Sequence, residues 1–319
     1  MKIIYDRKYY IENALMSLSL TDSIDNIAYK VTMDLVESDA IYDLQIKKAK
    51  TVQIIDKIYE TEKEDTIFNG VVWARRKTYK KDRISLDLKE RTAYLEASDD
   101  EYMFKAGTAD ERIKKIAKDW GIPIGNIPNT NVKLDKKVEK GNLLDLMRKA
   151  LRETVKKGGK MYLLRMEDKL NMYELGKNKI VYQLEGICEE VDDTNSLEGA
   201  VTSVKVLGKS KDDKHATPVL GVFKKDTDKY GTLQKVKQDE KIKNKKDAEK
   251  AAKTMFNSGE DLKTFQCVVD INTIRAGDKV RFFDHEYYVI DIVHNIKPSP
   301  TMTIKAGKLD YIRRKFFDE

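Results

Sequence analysis

Two short runs constrain this chain more than anything else in it. Tyr29-Lys30-Val31-Thr32-Met33-Asp34-Leu35 and Arg83-Ile84-Ser85-Leu86-Asp87-Leu88-Lys89 alternate apolar and polar residues with a period of two. Successive side chains of a strand point to opposite faces, so each run buries one face and wets the other. That is the habit of antiparallel sheets and barrels, not of a parallel sheet covered on both sides. Between the two runs, Gln53–Tyr59 and Thr66–Trp73 read as a strand pair, with the charged link Glu60–Asp65 as its turn. No proline precedes Pro123, so nothing interrupts these strands.

The period then changes. Thr108-Ala109-Asp110-Glu111 is a capping box, in which the residue three after the cap reaches back to the cap's N–H. Ile113, Ile116, Ala117 and Trp120 follow at helical spacing, and Gly121 with Pro123 ends the helix. A second helix starts near Asn142, carries Leu143, Leu144, Leu146, Met147, Ala150, Leu151 and Val155, and stops at Lys156-Lys157-Gly158-Gly159. Two short strands, Lys160–Met166 and Asn171–Leu175, follow around the turn Glu167-Asp168-Lys169. Alternation returns at Ala200–Leu207, with Val201, Val204 and Val206 as core positions. Gly208–Tyr230 reads as a long loop or hairpin, and Asn244–Asn257 as a helix. Thr264–Ile271, Asp278–Phe283, Glu286–Ile296 and Thr301–Lys305 make a β-rich end.

The sequence excludes several kinds of chemistry. Its 319 residues give two or three domains, large enough to bury cores without metal or disulfide staples. Cys188 and Cys267 offer no disulfide framework and no metal spacing, and each reads as a buried small hydrophobe in a strand. His215, His285 and His294 form no HExxH and no i,i+4 pair, so no metal site is expected. There is no nucleophile elbow. Gly158-Gly159-Lys160 follows a helix, where the dipole repels anions, so it is no phosphate loop. No catalytic or cofactor-binding residue is assigned. No run of about 18 apolar residues exists, and Met1–Asp6 lacks the apolar core of a secretion signal.

Charge is unevenly placed. The chain carries a net +7; residues 1–100 hold 17 Lys and Arg against 19 Asp and Glu, whereas residues 205–250 hold 14 Lys against 8 acids. The basic segment lacks Arg, the side chain suited to gripping phosphates bidentately, so it reads as a solvated face and not as a nucleic-acid site. Thr108–Asn131 looks like half of a LysM module, a small peptidoglycan-binding fold, with ten or so polar residues where the second helix should follow.

Four stretches together resemble one family, the baseplate hub proteins of contractile phage and prophage tails and of phage-tail-like bacteriocins, with late-control protein D among its members. They are Ile11–Ser23 leading into Ala28–Leu35, Gly107–Asn126, Asp247–Ala252, and Ile274-Arg275-Ala276-Gly277-Asp278-Lys279-Val280 with Tyr288–His294. The resemblance implies an α+β, mainly β fold: two tail-tube-like antiparallel β-barrel domains around a small helix-containing middle domain. The expected division is 1–102, first barrel; 103–185, middle domain; and 186–319, second barrel with a helix near 244–257 and a lysine-rich loop, in a family whose barrels can be assembled from discontinuous segments. It implies a structural, non-enzymatic trimer in the baseplate, made in the bacterial cytoplasm, that joins a sixfold tail tube to a threefold central spike. Its partners would be further copies of itself, the spike, the tube, other baseplate proteins and the tape measure, with no membrane and no nucleic acid. The competing expectation is a tail-associated peptidoglycan-binding or peptidoglycan-hydrolysing protein.

Overall fold

The period-two runs are strands in the computed structural model, which describes all residues except 81, 211–215, 241 and 319. The first β-rich part contains β1 (Lys2–Tyr5), β2 (Tyr9–Tyr10), β3 (Leu15–Ser23), β4 (Lys30–Val36), the short helix α1 (Asp39–Asp43), β5 (Thr51–Lys57), β6 (Glu64–Thr78), β7 (Arg83–Glu90) and α2 (Ala93–Glu96). The two alternating runs pair with each other, antiparallel, with Val31 opposite Leu88, Met33 opposite Leu86 and Leu35 opposite Ile84. All six side chains are buried. On the wet face, Asp34 accepts from Ser17 at 2.8 Å, Ser85 at 2.6 Å and Arg83 at 2.5 Å. Desolvation opposes its charge, but these donors outweigh it and hold its carboxyl below the usual range. The strand pair read between the two runs is β5 and β6, joined by a turn slightly earlier than expected.

The middle part is β8 (Asp99–Phe104), α3 (Ala109–Asp119), β9 (Lys137–Asn142), α4 (Leu143–Lys156), and the hairpin β10 (Tyr162–Glu167) and β11 (Lys169–Glu174). The Thr108 N–H donates to the Glu111 carboxylate at 2.9 Å, as the capping box requires. Asn142 caps α4 by accepting from Leu144 N and Asp145 N, while its own amide donates to the Glu96 carbonyl at 2.8 Å. The antiparallel pair β8–β9, which flanks α3, was not legible beforehand. Asp168, at a φ of 57°, closes the β10–β11 turn.

The rest of the chain contains β12 (Cys188–Ser196), β13 (Ser203–Leu207), β14 (Val219–Lys224), α5 (Thr227–Tyr230), β15 (Gln234–Gln238), α6 (Lys245–Lys253), β16 (Glu260–Cys267), β17 (Lys279–Phe282), β18 (His285–Lys297), β19 (Thr301–Gly307) and α7 (Leu309–Ile312). The chain divides into two units, one of Met1–Asp192 with Lys263–Phe317, the other of Asp193–Leu262. In the second unit β13 is central, antiparallel to β14 and parallel to β15, and Val201, Val204 and Val206 pack with Ala248 and Ala252 of α6. The helix is shorter than Asn244–Asn257, with Asn244 as its cap.

The fold is therefore α+β and mainly β. A twelve-stranded sheet runs β12-β16-β19-β18-β3-β4-β7-β6-β5-β1-β2, with β17 added on β18. The closing strand β18 pairs directly with the opening strand β3, placing His294 opposite Leu20. Among the described residues of the first unit, one hydrophobic core gathers residues from Ile3 to Leu88, another residues mainly from α3, α4, β10 and β11, and another residues from Leu184 to Ala306. Phe265, fully buried, stands in the last of these against Phe282 and Tyr287.

Replacing Asn142→Ala removes two cap bonds and leaves the Glu96 carbonyl without its partner. We expect a loss of about 1–2 kcal/mol, read as a lower urea midpoint with an unchanged slope.

Candidate functional site

The part of the molecule where the most chemistry converges is the link Arg275-Ala276-Gly277-Asp278, between β16 and β17. Asp22, near the end of β3, accepts from Arg275 Nε at 2.5 Å and from Ala276 N at 3.1 Å. Asp278 accepts from Arg275 N at 2.9 Å and from Arg165 of β10 at 2.6 Å. Arg165 also donates to the Ala276 carbonyl at 2.6 Å and lies over the Tyr173 ring. Two ion pairs, Asp22–Arg275 and Asp278–Arg165, joined through the backbone N–H of Arg275, thus tie β3 of the first β-rich part and β10 of the middle part to the link before β17.

The backbone of the link is equally constrained. Gly277 has a φ of 86°, and a Cβ there would come within 2.0 Å of a Leu163 methyl. Its N–H donates to Val289 O at 2.7 Å, and its carbonyl accepts from Gly176 N at 2.9 Å. Just upstream, His294 donates from Nε2 to the Ile274 carbonyl at 2.9 Å, while Nδ1 faces Asp270 at 2.6 Å. His294 is buried, so this histidine fixes the approach of the chain to Arg275.

Burial dominates the electrostatics. The Arg275 guanidinium sits 3.8 Å from the centre of the Tyr29 ring. Desolvation works against its charge, but Asp22, Tyr29 and Glu90 outweigh it and hold Arg275 protonated well beyond its usual range. Burial pushes the Tyr29 hydroxyl far up, and pushes Glu90 well above the carboxylate range, with Arg275 opposing in both cases. Glu90 accepts from Tyr29 N at 2.9 Å. Desolvation and the Glu167 carboxylate, 2.6 Å away, push Tyr173 up to about 12. A cavity of about 350 Å³ opens here, lined by Tyr29, Glu90, Glu167, Asp168, Thr273 and Arg275 among others. What this arrangement does is hold elements together: its charges are matched against one another.

The residues singled out from sequence are scattered. His285 is an exposed residue at the start of β18, and His215 lies outside the described residues. Among the described residues no group of three or more His, Cys, Asp or Glu could hold a metal ion. Gly158 and Gly159 follow the end of α4, where their N–H groups donate to the Val155 and Thr154 carbonyls, each at 2.9 Å. The LysM-like stretch holds α3 alone; the next helix, α4, comes after β9. No described helix is long and apolar enough to cross a membrane. The described part of the lysine-rich segment runs from β13 through β14, α5 and β15 to α6; Lys211, Lys214 and Lys241 lie outside the described residues.

One reading is corrected. Cys188 and Cys267 are not two separate buried hydrophobes: they face each other from neighbouring strands β12 and β16, joined as a disulfide. Their separation of 79 residues carries no signal, because only the pairing of β12 with β16 brings them together. The Asp22–Arg275–Asp278–Arg165 chain was also missed as a site. Its one trace was Gly277, between Ala276 and Asp278 and two residues after Arg275, just before a strand.

Comparison with known proteins gives a consistent picture. A family model described as YQBQ-like matches residues 18–305. Uncharacterized protein YqbQ of Bacillus subtilis (strain 168) is 28% identical over 220 residues, which cover 60% of this chain and 64% of that protein. Phage-like element PBSX protein XkdQ of the same organism is 33% identical over 103 residues, 32% of this chain and 31% of its own length. The chain thus spans less than two thirds of either relative. Among solved structures, the 43 kDa tail protein of prophage MuSo2 from Shewanella oneidensis is similar with a TM-score of 0.68 at 12% identity, over 97% of this chain and 98% of that one. A tail protein from Neisseria meningitidis MC58 gives 0.64 at 13%, over 99% and 97%. The Escherichia coli c3393 protein, a component of the type VI secretion system, gives 0.53 at 8%, over 92% and 73%. The mainly β fold is that of these tail proteins.

Asp22→Ala leaves Arg275 buried beside no carboxylate at bonding distance. We expect about 3–5 kcal/mol of destabilisation, measured by urea unfolding. Glu90 binds its proton more tightly when folded than unfolded, so its contribution to stability falls as pH rises above the ordinary carboxylate range. Glu90→Gln keeps an acceptor for Tyr29 N and has no charge to bury. The variant should gain stability over the parent at pH 8 and match it near pH 4; a gain equal at both pH values would count against the raised carboxyl.

Proposed function

This chain belongs to the YQBQ-like family, and we propose from that premise that it is a structural baseplate hub of a contractile injection tail. In this reading it works as a homotrimer that ends the tail tube and seats the central spike, with other baseplate proteins around it. Residues 1–102 and 186–319 would supply the two tube-like parts, and 103–185 the middle domain. Three chains with two such parts each present six similar faces to a sixfold tube while keeping threefold symmetry for a spike. The chain is then a component of a tail-like particle and acts without catalysis.

The observation that carries the reading is correspondence over nearly the whole chain with the Shewanella and Neisseria tail proteins, on a scaffold whose buried charges are spent on joining elements. Relationship to a PBSX phage-like element protein adds to it. A hub must transmit force between layers, and a buried chain of charge-assisted hydrogen bonds across three sub-structures suits that task.

The test is the solution mass of the purified protein by light scattering, followed by imaging of the particles. The expected species has three times the 36.8 kDa chain mass and a ring outline. A monomer at every concentration, together with absence of the chain from purified tail particles of the source cell, overturns the reading.

A further inference from the structure

The two ends of the large sheet carry opposite charge. At one end stands β12, whose outer edge pairs with no strand among the described residues. It lies in the stretch from Ile180 to Val204, which holds six carboxylates and neither Lys nor Arg, in a chain of net charge +7. Glu185, Glu189, Glu190 and Asp192 are exposed there. At the other end β2 is the last strand, and the turn leading to it presents Arg7 and Lys8 to solvent. Lys47 and Lys48, also exposed, lie beside it, because Lys47 N donates to the Tyr5 hydroxyl at 3.0 Å. Asp6 is occupied by Lys50 at 2.8 Å, which leaves this end basic. Exposed Tyr9 and Tyr10 add an aromatic surface, with the Lys8 ammonium 5.0 Å from the centre of the Tyr9 ring.

A sheet edge presents unpaired N–H and C=O groups, and an unprotected edge pairs with whatever fits it. Like edges cannot meet here. Two β12 edges would set carboxylates against carboxylates, and two β2 ends would set cations against cations, each costing free energy. The complementary arrangement is β12 of one copy against β2 of the next. Such a head-to-tail contact is heterologous and closes into a ring when the rotation between copies permits.

We propose that the acidic β12 edge and the basic β1–β2 end form the subunit interface between copies of this chain. The proposal rests on the trimeric reading above and names the surfaces that would build it. Electrostatic complementarity sets which edges meet and speeds their encounter, while Tyr9 and Tyr10 supply the apolar contact. At about 0.1 M salt the Debye length is ~10 Å, so an interface of this kind weakens as salt rises.

The experiment is a charge swap read by light scattering across a concentration and salt series. One variant carries Glu189→Lys and Asp192→Lys, the second Lys8→Glu and Lys48→Glu, and the third all four changes. All four side chains are exposed, so folding should survive, and circular dichroism checks that it does. Either two-site variant should weaken assembly by about tenfold or more, because like charges then face each other. The four-site variant reverses both surfaces and should regain the parent assembly. If the parent forms a trimer whose mass none of the variants changes, the interface is elsewhere, the charged edges serve only to keep the sheet soluble, and the hub reading stands. If the two-site variants dissociate but the four-site variant does not reassemble, the two surfaces do not meet and the proposal fails. If the parent is a monomer throughout, the proposed contact and the trimer fail together.

Discussion

The buried sequence of contacts from Asp22 through Arg275 and Asp278 to Arg165 is the constraint on which the rest of the first unit depends. Asp22, Arg165 and the link that carries Arg275 and Asp278 come from three different parts of the chain, and each hydrophobic core can form largely from its own segment. Hydrophobic burial is non-directional and does not by itself fix how three cores adjoin. Matched charges at bonding distance do, since any other arrangement strands a charge away from water. The link that carries Arg275 and Asp278 takes a φ of 86° at Gly277 that other residues adopt only with strain, so the backbone geometry and the ion pairs specify the same arrangement.

That constraint also explains how the acids and bases of the interior are used. Glu90 is raised by burial, Arg275 is held charged by its neighbours, and His294 fills both of its ring nitrogens with protein partners. Perturbed groups in a cavity are a common mark of an active site. Here Arg275, Asp278 and His294 are each tied to partners inside the protein, which is how structural ion-pair networks also look. The chemistry is that of a joint.

Much of the β architecture was legible because strand periodicity is local. Val31, Met33, Leu35 and Ile84, Leu86, Leu88 announced their buried face from sequence, and they meet one another in register. The caps at Thr108 and Asn142 were legible for the same reason, since a cap needs only a side chain and the next few N–H groups. The pair β8–β9 was not, because Lys137–Asn142 has polar residues at nearly every position and its one buried acid, Glu139, is compensated by Lys137 of the same strand and by Arg112 and Lys149 from elsewhere. The parallel strand β15 was hidden likewise: a parallel partner is set by a crossover, not by an adjacent turn.

The sequence by itself determined the alternating strands, the two capped helices, the absence of nucleophile and phosphate motifs, and the order of segments that resembles a tail hub. Only the tertiary structure decided that β18 joins β3, that Cys188 meets Cys267, and that Asp22 lies against Arg275 across 253 residues. The division has a physical cause. Periodicity and capping act over one or two turns of chain, whereas ion pairs, disulfides and sheet order are satisfied only where distant segments are brought into contact, and no local pattern encodes the partner's position.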